Sequence, residues 1–311
     1  MQKIKMGSKK ERTIKEGYTE FQKYCQVRNY SKHTIKHYDN MLHSFELFYS
    51  LDSDISTITE ELVNDYMMFL LDKNLAGRTL ATYIGSLRTI IYYFIKKDYI
   101  TAFKIMKPKF DQPIKEVYTD VELALLLKKP NVDKCGFTEY RNWVIVNYLL
   151  STGQRRNTVI NLKIKDYDPE NGMMALRIVK NRKPTILPLS QTIVEILNNY
   201  LKFRKGSEED YLFCNAISGQ MAGSCLGCAI KKYNHNRGVS KTGIHAFRHT
   251  FAKKYLLAGG NVFVLQKLMM HSDLNTTKQY LNLYLDDLRQ DYDKFNPLDQ
   301  MVKHGIKIKM D

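Results

Sequence analysis

In the second half of this 311-residue chain, side chains able to do chemistry stand in suggestive local settings. They are Arg155 after Thr152-Gly153, Lys180 between two short apolar runs, His245 and Arg248 in His245-Ala-Phe-Arg248, His271, and Tyr280. A guanidinium is a permanent cation whose planar donors match an oxyanion, an imidazole moves protons near neutral pH, an amine can give one up, and a phenol can attack as a nucleophile. Taken singly, each has a plainer reading: a solvated or ion-paired arginine, a soluble turn, a satisfied histidine at a helix start, one of 21 tyrosines. Neither a phosphate-cradling glycine loop nor a paired-carboxylate hydrolase site is present in the sequence.

Composition narrows the partner. Lys and Arg number 48 against 32 Asp and Glu, a formal charge of +16, which points to a polyanion. With 44% hydrophobic and 12% aromatic residues the chain is not an intrinsically disordered one. No apolar run approaches the roughly 18 residues of a membrane span, and the first ten residues lack an apolar signal core, so a soluble cytoplasmic protein with no membrane partner is expected. Five scattered cysteines fit a reducing compartment better than a disulfide framework. Cys225-Leu-Gly-Cys228, with Cys214 and His235 nearby, invites a zinc reading; the favoured expectation is that the pair sits one helical turn apart on a core-facing stripe, with no metal and no cofactor.

The length suits two domains, and these elements must position the reactive groups. All seven prolines lie at or beyond 108, and Pro108 and Pro113 bracket a basic linker expected over 108–118. Behind a basic tail (1–12), residues 13–107 carry three apolar faces at helical spacing: Ile35, Tyr38, Leu42, Phe45 and Tyr49; Leu62, Val63, Tyr66, Leu70 and Leu71 after Thr57 or Thr59; and Leu80, Tyr83, Ile84, Leu87, Ile91 and Phe94. That reads as a helical bundle. Past the linker, Thr119-Asp-Val-Glu122 is a capping box, a helix over 141–150 runs into Ser151-Thr152-Gly153, and an antiparallel hairpin pairs 173–179 with 185–189 around the basic tip Lys180-Asn-Arg-Lys183. Further helices are expected over 191–205, 246–257, 262–270 and 276 to about 295, where Pro297 follows. The fold class is mainly α with a small antiparallel sheet, the second domain being α+β over 119–290 and followed by a tail over 291–311.

In order along the chain, Thr152-Gly-Gln-Arg155, Lys180, His245-Ala-Phe-Arg-His-Thr-Phe-Ala252 and Leu268-Met-Met-His-Ser-Asp-Leu-Asn-Thr-Thr-Lys-Gln-Tyr280 resemble the tyrosine recombinase (phage integrase) family, in its Xer-like, simple-integrase form. The resemblance implies a helical SAM-like core-binding domain and a catalytic domain clamped around double-stranded DNA, without a separate arm-site module. It implies site-specific recombination through a 3′-phosphotyrosyl intermediate and a Holliday junction, by a homotetramer on two DNA sites, with accessory DNA-bending or directionality proteins left open. On this resemblance Arg155 and Arg248 clamp the scissile phosphate, Lys180 protonates the departing 5′ oxygen, His245 acts as base or donor, His271 as a further donor, and Tyr280 is the nucleophile, with Tyr284 its rival. Breaking a phosphodiester in line builds negative charge on the non-bridging and leaving oxygens, which is why fixed cationic donors must surround it. The acid common in the family three residues after the first arginine is Thr158 here. Candidate DNA contacts are Lys32, His33, Lys36, Arg78, Thr79, Tyr83, Arg88, Arg182 and Lys183, a solvated helix face being the alternative for those near residue 32. The tail after Pro297 reads either as an arm exchanged between protomers or as a solvated basic terminus. Two other functions use the same scaffold or chemistry: a DNA-binding regulator that lost the reaction, and a type IB topoisomerase acting as a monomer.

Overall fold

The computed structural model describes residues 12–108, 116–177 and 184–271, with 273, 274, 276, 277 and 298. The chain divides into two compact units, Met1–Ile114 and Lys115–Asp311.

The first unit is built from α1 (Ile14–Val27), α2 (Lys32–Glu46), α3 (Glu60–Asp72) and α4 (Gly77–Lys96). Thr13 caps α1 through a reciprocal box with Glu16, and Ile14, Tyr18, Phe21 and Cys25 face inward at spacings of four, three and four residues. The sequence reading assigns no helix there. Ser31 and Thr59 cap α2 and α3 by accepting backbone N–H bonds at 3.1 and 3.2 Å. Helix α4 is central, touching each of the other three, and buries Leu80, Ile84, Leu87, Ile91 and Phe94 as its periodicity predicts. On α3, Val63, Tyr66 and Leu70 turn inward but Leu71 is exposed, because it lies about 100° beyond Leu70 around the helix. Edge-to-face packing of Phe45 on Tyr66, with centroids 5.0 Å apart, joins α2 to α3.

The second unit contains α5 (Asp120–Leu127), α6 (Phe137–Thr152), α7 (Arg156–Val159), α8 (Gln191–Arg204), α9 (Gly223–Asn236), α10 (Ile244–Leu257) and α11 (Val262–Leu268). Its sheet runs β1 (Tyr167–Asp168), β2 (Met173–Leu176), β3 (Thr185–Pro188), all antiparallel, with Met174 opposite both Tyr167 and Leu187. Helix α6 is buried along most of its length, from Trp143 through Leu149, which makes it the axis on which α5, α8, α9 and α10 pack. Trp143 satisfies its indole by donating to the Leu127 carbonyl at 2.9 Å. The sheet lays Met174, Leu176 and Leu187 on this core and leaves Ile186 outside. The hairpin is shorter than expected, and β1, with two residues, has no legible period.

Candidate active site

Helix α6 ends where the chain must reverse. Gly153 takes the left-handed conformation (φ 59°) and donates its N–H to the Leu149 carbonyl, closing the helix. Next, Gln154 is buried and donates to the Leu268 carbonyl at 3.0 Å, tying the turn to the end of α11. Arg155 then caps α7 in an extended conformation, and its guanidinium donates to the Met270 carbonyl at 3.2 Å.

Arg248 reaches the same place from α10. It is 4% exposed and donates to the carbonyls of Gly153 and Met269, the latter at 2.7 Å, and to Nε2 of His271 at 2.7 Å. A guanidinium can only donate, so Nε2 is the acceptor and the ring proton sits on Nδ1, which donates to the buried Thr277 hydroxyl at 2.8 Å. The Arg248–His271–Thr277 chain thus fixes one imidazole tautomer, and hydrogen bonds to carbonyls hold both guanidiniums without cancelling their charge. His271 is tied down further by the Gln266 carbonyl, which accepts its N–H at 3.0 Å, and it lines an open cavity of about 640 Å³ between β3 and α11.

His245 lies at the surface one turn before Arg248 on α10. Loss of hydration, then the charges of Arg248, Arg156 and Arg155, hold its pKa below the ordinary 6.5. Such an imidazole is neutral at pH 7 and able to accept a proton.

Arg155, Arg248, His245 and His271 therefore lie in one cluster. Tyr280, Tyr284, Lys180, Arg182 and Lys183 lie outside the described residues. The base of the hairpin that carries Lys180 is described: Arg177, just past β2, donates to the buried Asp166 carboxylate at 2.6 Å, and the other oxygen of Asp166 accepts the Lys163 N–H at 2.9 Å. Thr158, on α7, is buried.

The other candidates belong to the first unit. Lys32, His33 and Lys36 are exposed along the start of α2, and Arg78 and Thr79 on the first turn of α4. Tyr83 and Arg88 are half-buried, the Arg88 guanidinium 5.7 Å from the Tyr92 ring centre. A hydrogen bond of 2.8 Å between His37 and Ser86 ties the two helices together. Sequence reasoning missed Lys107, whose amine lies beside Gly85 on the α4 stripe that also carries Arg78 and Arg88; its only signal was its place at the edge of the linker. Arg156, next to Arg155, belongs to the second-unit cluster as well, since its charge acts on His245. The cysteine expectation needs correction: Cys225 and Cys228 do lie one turn apart on α9, but both are exposed, because Leu226, Ile230 and Tyr233 occupy the inward stripe. Among the described residues no helix is long and apolar enough to cross a membrane.

The phage integrase family model matches residues 117–286, and the model for the phage integrase N-terminal SAM-like domain matches 18–101. Tyrosine recombinase XerD of Staphylococcus haemolyticus is 26% identical over 290 residues, covering 89% of this chain and 97% of that protein. Among solved structures, XerA recombinase is similar at 25% identity and a TM-score of 0.51, covering 91% of this chain and 99% of the other. The Tn1549 transposon integrase in complex with a circular intermediate DNA superposes with a TM-score of 0.71 at 22% identity, again over 91% and 99% of the two chains.

Proposed function

We propose, since the chain belongs to the phage integrase family, that it is a tyrosine-type site-specific recombinase that breaks and rejoins DNA strands in the bacterial cytoplasm, at the nucleoid. The observation that carries this reading is the meeting of Arg155, Arg248 and His271 at the turn after α11, with His245 beside them. Two fork-shaped cations fixed by backbone carbonyls form a preorganised receptor for a phosphate whose charge grows as it is attacked.

In the reaction this arrangement suits, the Tyr280 phenol oxygen attacks phosphorus in line while His245 takes its proton. The bond to the 5′ oxygen breaks, Lys180 supplies that oxygen's proton, and a 3′-phosphotyrosyl bond replaces the phosphodiester. One ester is exchanged for another, so a 5′ hydroxyl from a second strand reverses the step without ATP. As phosphate enters, the Arg248 donor held by Nε2 of His271 is freed for it, and Nε2 takes a proton from solvent, the resulting imidazolium donating in turn. Four protomers on two DNA sites would exchange one strand pair, pass through a Holliday junction and exchange the other, the tail after Pro297 linking neighbours.

The test is covalent trapping on nicked duplexes tiled across DNA flanking the gene. Wild-type protein should give a denaturant-resistant DNA adduct and Tyr280→Phe none, while Tyr284→Phe retains it. An adduct that survives Tyr280→Phe overturns the assignment; no adduct on any duplex favours a regulator. Plasmid relaxation without exchange between paired sites favours a topoisomerase.

A further inference from the structure

Arg156 is the one arginine of the cluster whose side chain leaves the knot. Arg155 and Arg248 turn toward the Met269–His271 backbone, whereas Arg156, the first residue of α7, lays its side chain across Gly223, the first residue of α9. A Cβ placed on Gly223 would come within 3.3 Å of the Arg156 Nε, so the absence of a side chain there gives the guanidinium stem its floor. Arg156 is exposed, and among the described residues it makes no hydrogen bond and no ion pair. It nevertheless lies close to the reaction centre, since its charge weighs on His245 ahead of that of Arg155. An exposed arginine that serves a fold usually packs its stem over apolar surface or forks a carboxylate. Arg156 forks no carboxylate among the described residues; its stem rests on Gly223 and its guanidinium stays exposed.

We propose that Arg156 binds a DNA phosphate flanking the scissile one, as a third guanidinium beside Arg155 and Arg248. This rests on the recombinase reading for which phosphate is the reacting one, but not for the contact itself. One phosphate neutralised by one guanidinium releases its condensed counterions, which adds roughly 0.9 to the slope of log affinity against log salt, or about eightfold in affinity at 0.1 M salt.

The experiment titrates wild-type, Arg156→Ala and Arg156→Lys full-length proteins onto a random-sequence 30-base-pair duplex over a range of NaCl concentrations. Arg156→Ala should lose about one unit of slope and bind roughly eightfold more weakly at 0.1 M salt, while Arg156→Lys, which keeps the charge, stays close to wild type. An unchanged slope in Arg156→Ala, equal losses in both variants, or an unfolded Arg156→Ala protein would each overturn the proposal, the last because it would assign the residue to the fold. Single methylphosphonates placed along the cleaved strand then locate the contact. At one position beside the cut, neutralising the phosphate should weaken wild-type binding as the alanine variant does and leave that variant unaffected; additive losses at every position would overturn it. If wild-type protein forms no adduct, the recombinase reading fails while the salt titration still decides whether Arg156 holds phosphate.

Discussion

At the scale of single residues, the site depends on a few atoms whose neighbours leave them little choice. His245 titrates below 6.5 because partial desolvation and the cations Arg248, Arg156 and Arg155 all disfavour its protonated form. The unfolded chain therefore binds more protons than the folded one just below pH 6.5, and His245 makes stability fall as pH drops through that range. An NMR titration of the DNA-free protein, with the resonance assigned by its loss in His245→Gln, should give a midpoint below 6.5; removing the cation in Arg156→Ala should move it upward. A midpoint at or above 6.5 would mean that the imidazole does not sense the cluster. Gly153 is constrained from two sides: its φ of 59° disfavours any Cβ, and that Cβ would run into the Phe251 ring. Gly153→Ala should cost about 2 kcal/mol in chemical denaturation. Because the Gly153 carbonyl is an acceptor for Arg248, cleavage on a nicked duplex should drop further than DNA binding does.

At the scale of elements, the parts that were legible are those where one physical rule acted alone. The faces of α2 and α4 follow their apolar period, and Thr119 and Glu122 cap α5 as their spacing predicts. Helix α1 escaped because much of its inward stripe is Tyr18 and Cys25 rather than aliphatic, and Gly17 interrupts it. The direction in which Cys225 and Cys228 face could not be read either, since a Cys at helical spacing suits either side until the stripe of Leu226, Ile230 and Tyr233 is seen to take the core. The motif order brought Arg155, Arg248 and His271 into one reading, but the carbonyls that hold them are backbone atoms without sequence signature. Two predictions belong here. Thiol labelling under native conditions should modify Cys225 and Cys228 fast and leave Cys25 and Cys214 protected until unfolding, as peptide mass mapping would show. Arg177→Ala should leave the buried Asp166 with the Lys163 N–H but without its ion-pair partner at the base of the β2–β3 connection, costing about 1 to 2 kcal/mol with the exposure of Arg177 taken into account. If that connection delivers the Lys180 proton, single-turnover cleavage slows while affinity holds; equal loss of both would make Asp166–Arg177 a matter of stability alone.

At the scale of the whole molecule, +16 of formal charge is distributed over two units with separate apolar cores, one centred on α4 and the other on α6. Surplus charge of this size works against compactness through self-repulsion, and a duplex that neutralises it supplies binding energy proportional to the phosphates covered. The basic stripe of Arg78, Arg88 and Lys107 and the exposed start of α2 lie in the first unit, while the proposed phosphate receptor lies in the second. Binding and chemistry should therefore separate. A doubly substituted Arg78→Ala, Arg88→Ala protein should lose roughly two units of salt slope, near 0.9 for each phosphate released, and yet on a nicked duplex at saturating concentration and low salt it should form the covalent adduct at close to the wild-type rate. The opposite substitution, Tyr280→Phe, should keep the full slope and form no adduct. A double variant that binds with undiminished slope would remove the first unit's stripe from the DNA interface. One that binds at saturation but does not cleave would show that this unit acts on the reacting phosphate as well as on the duplex around it.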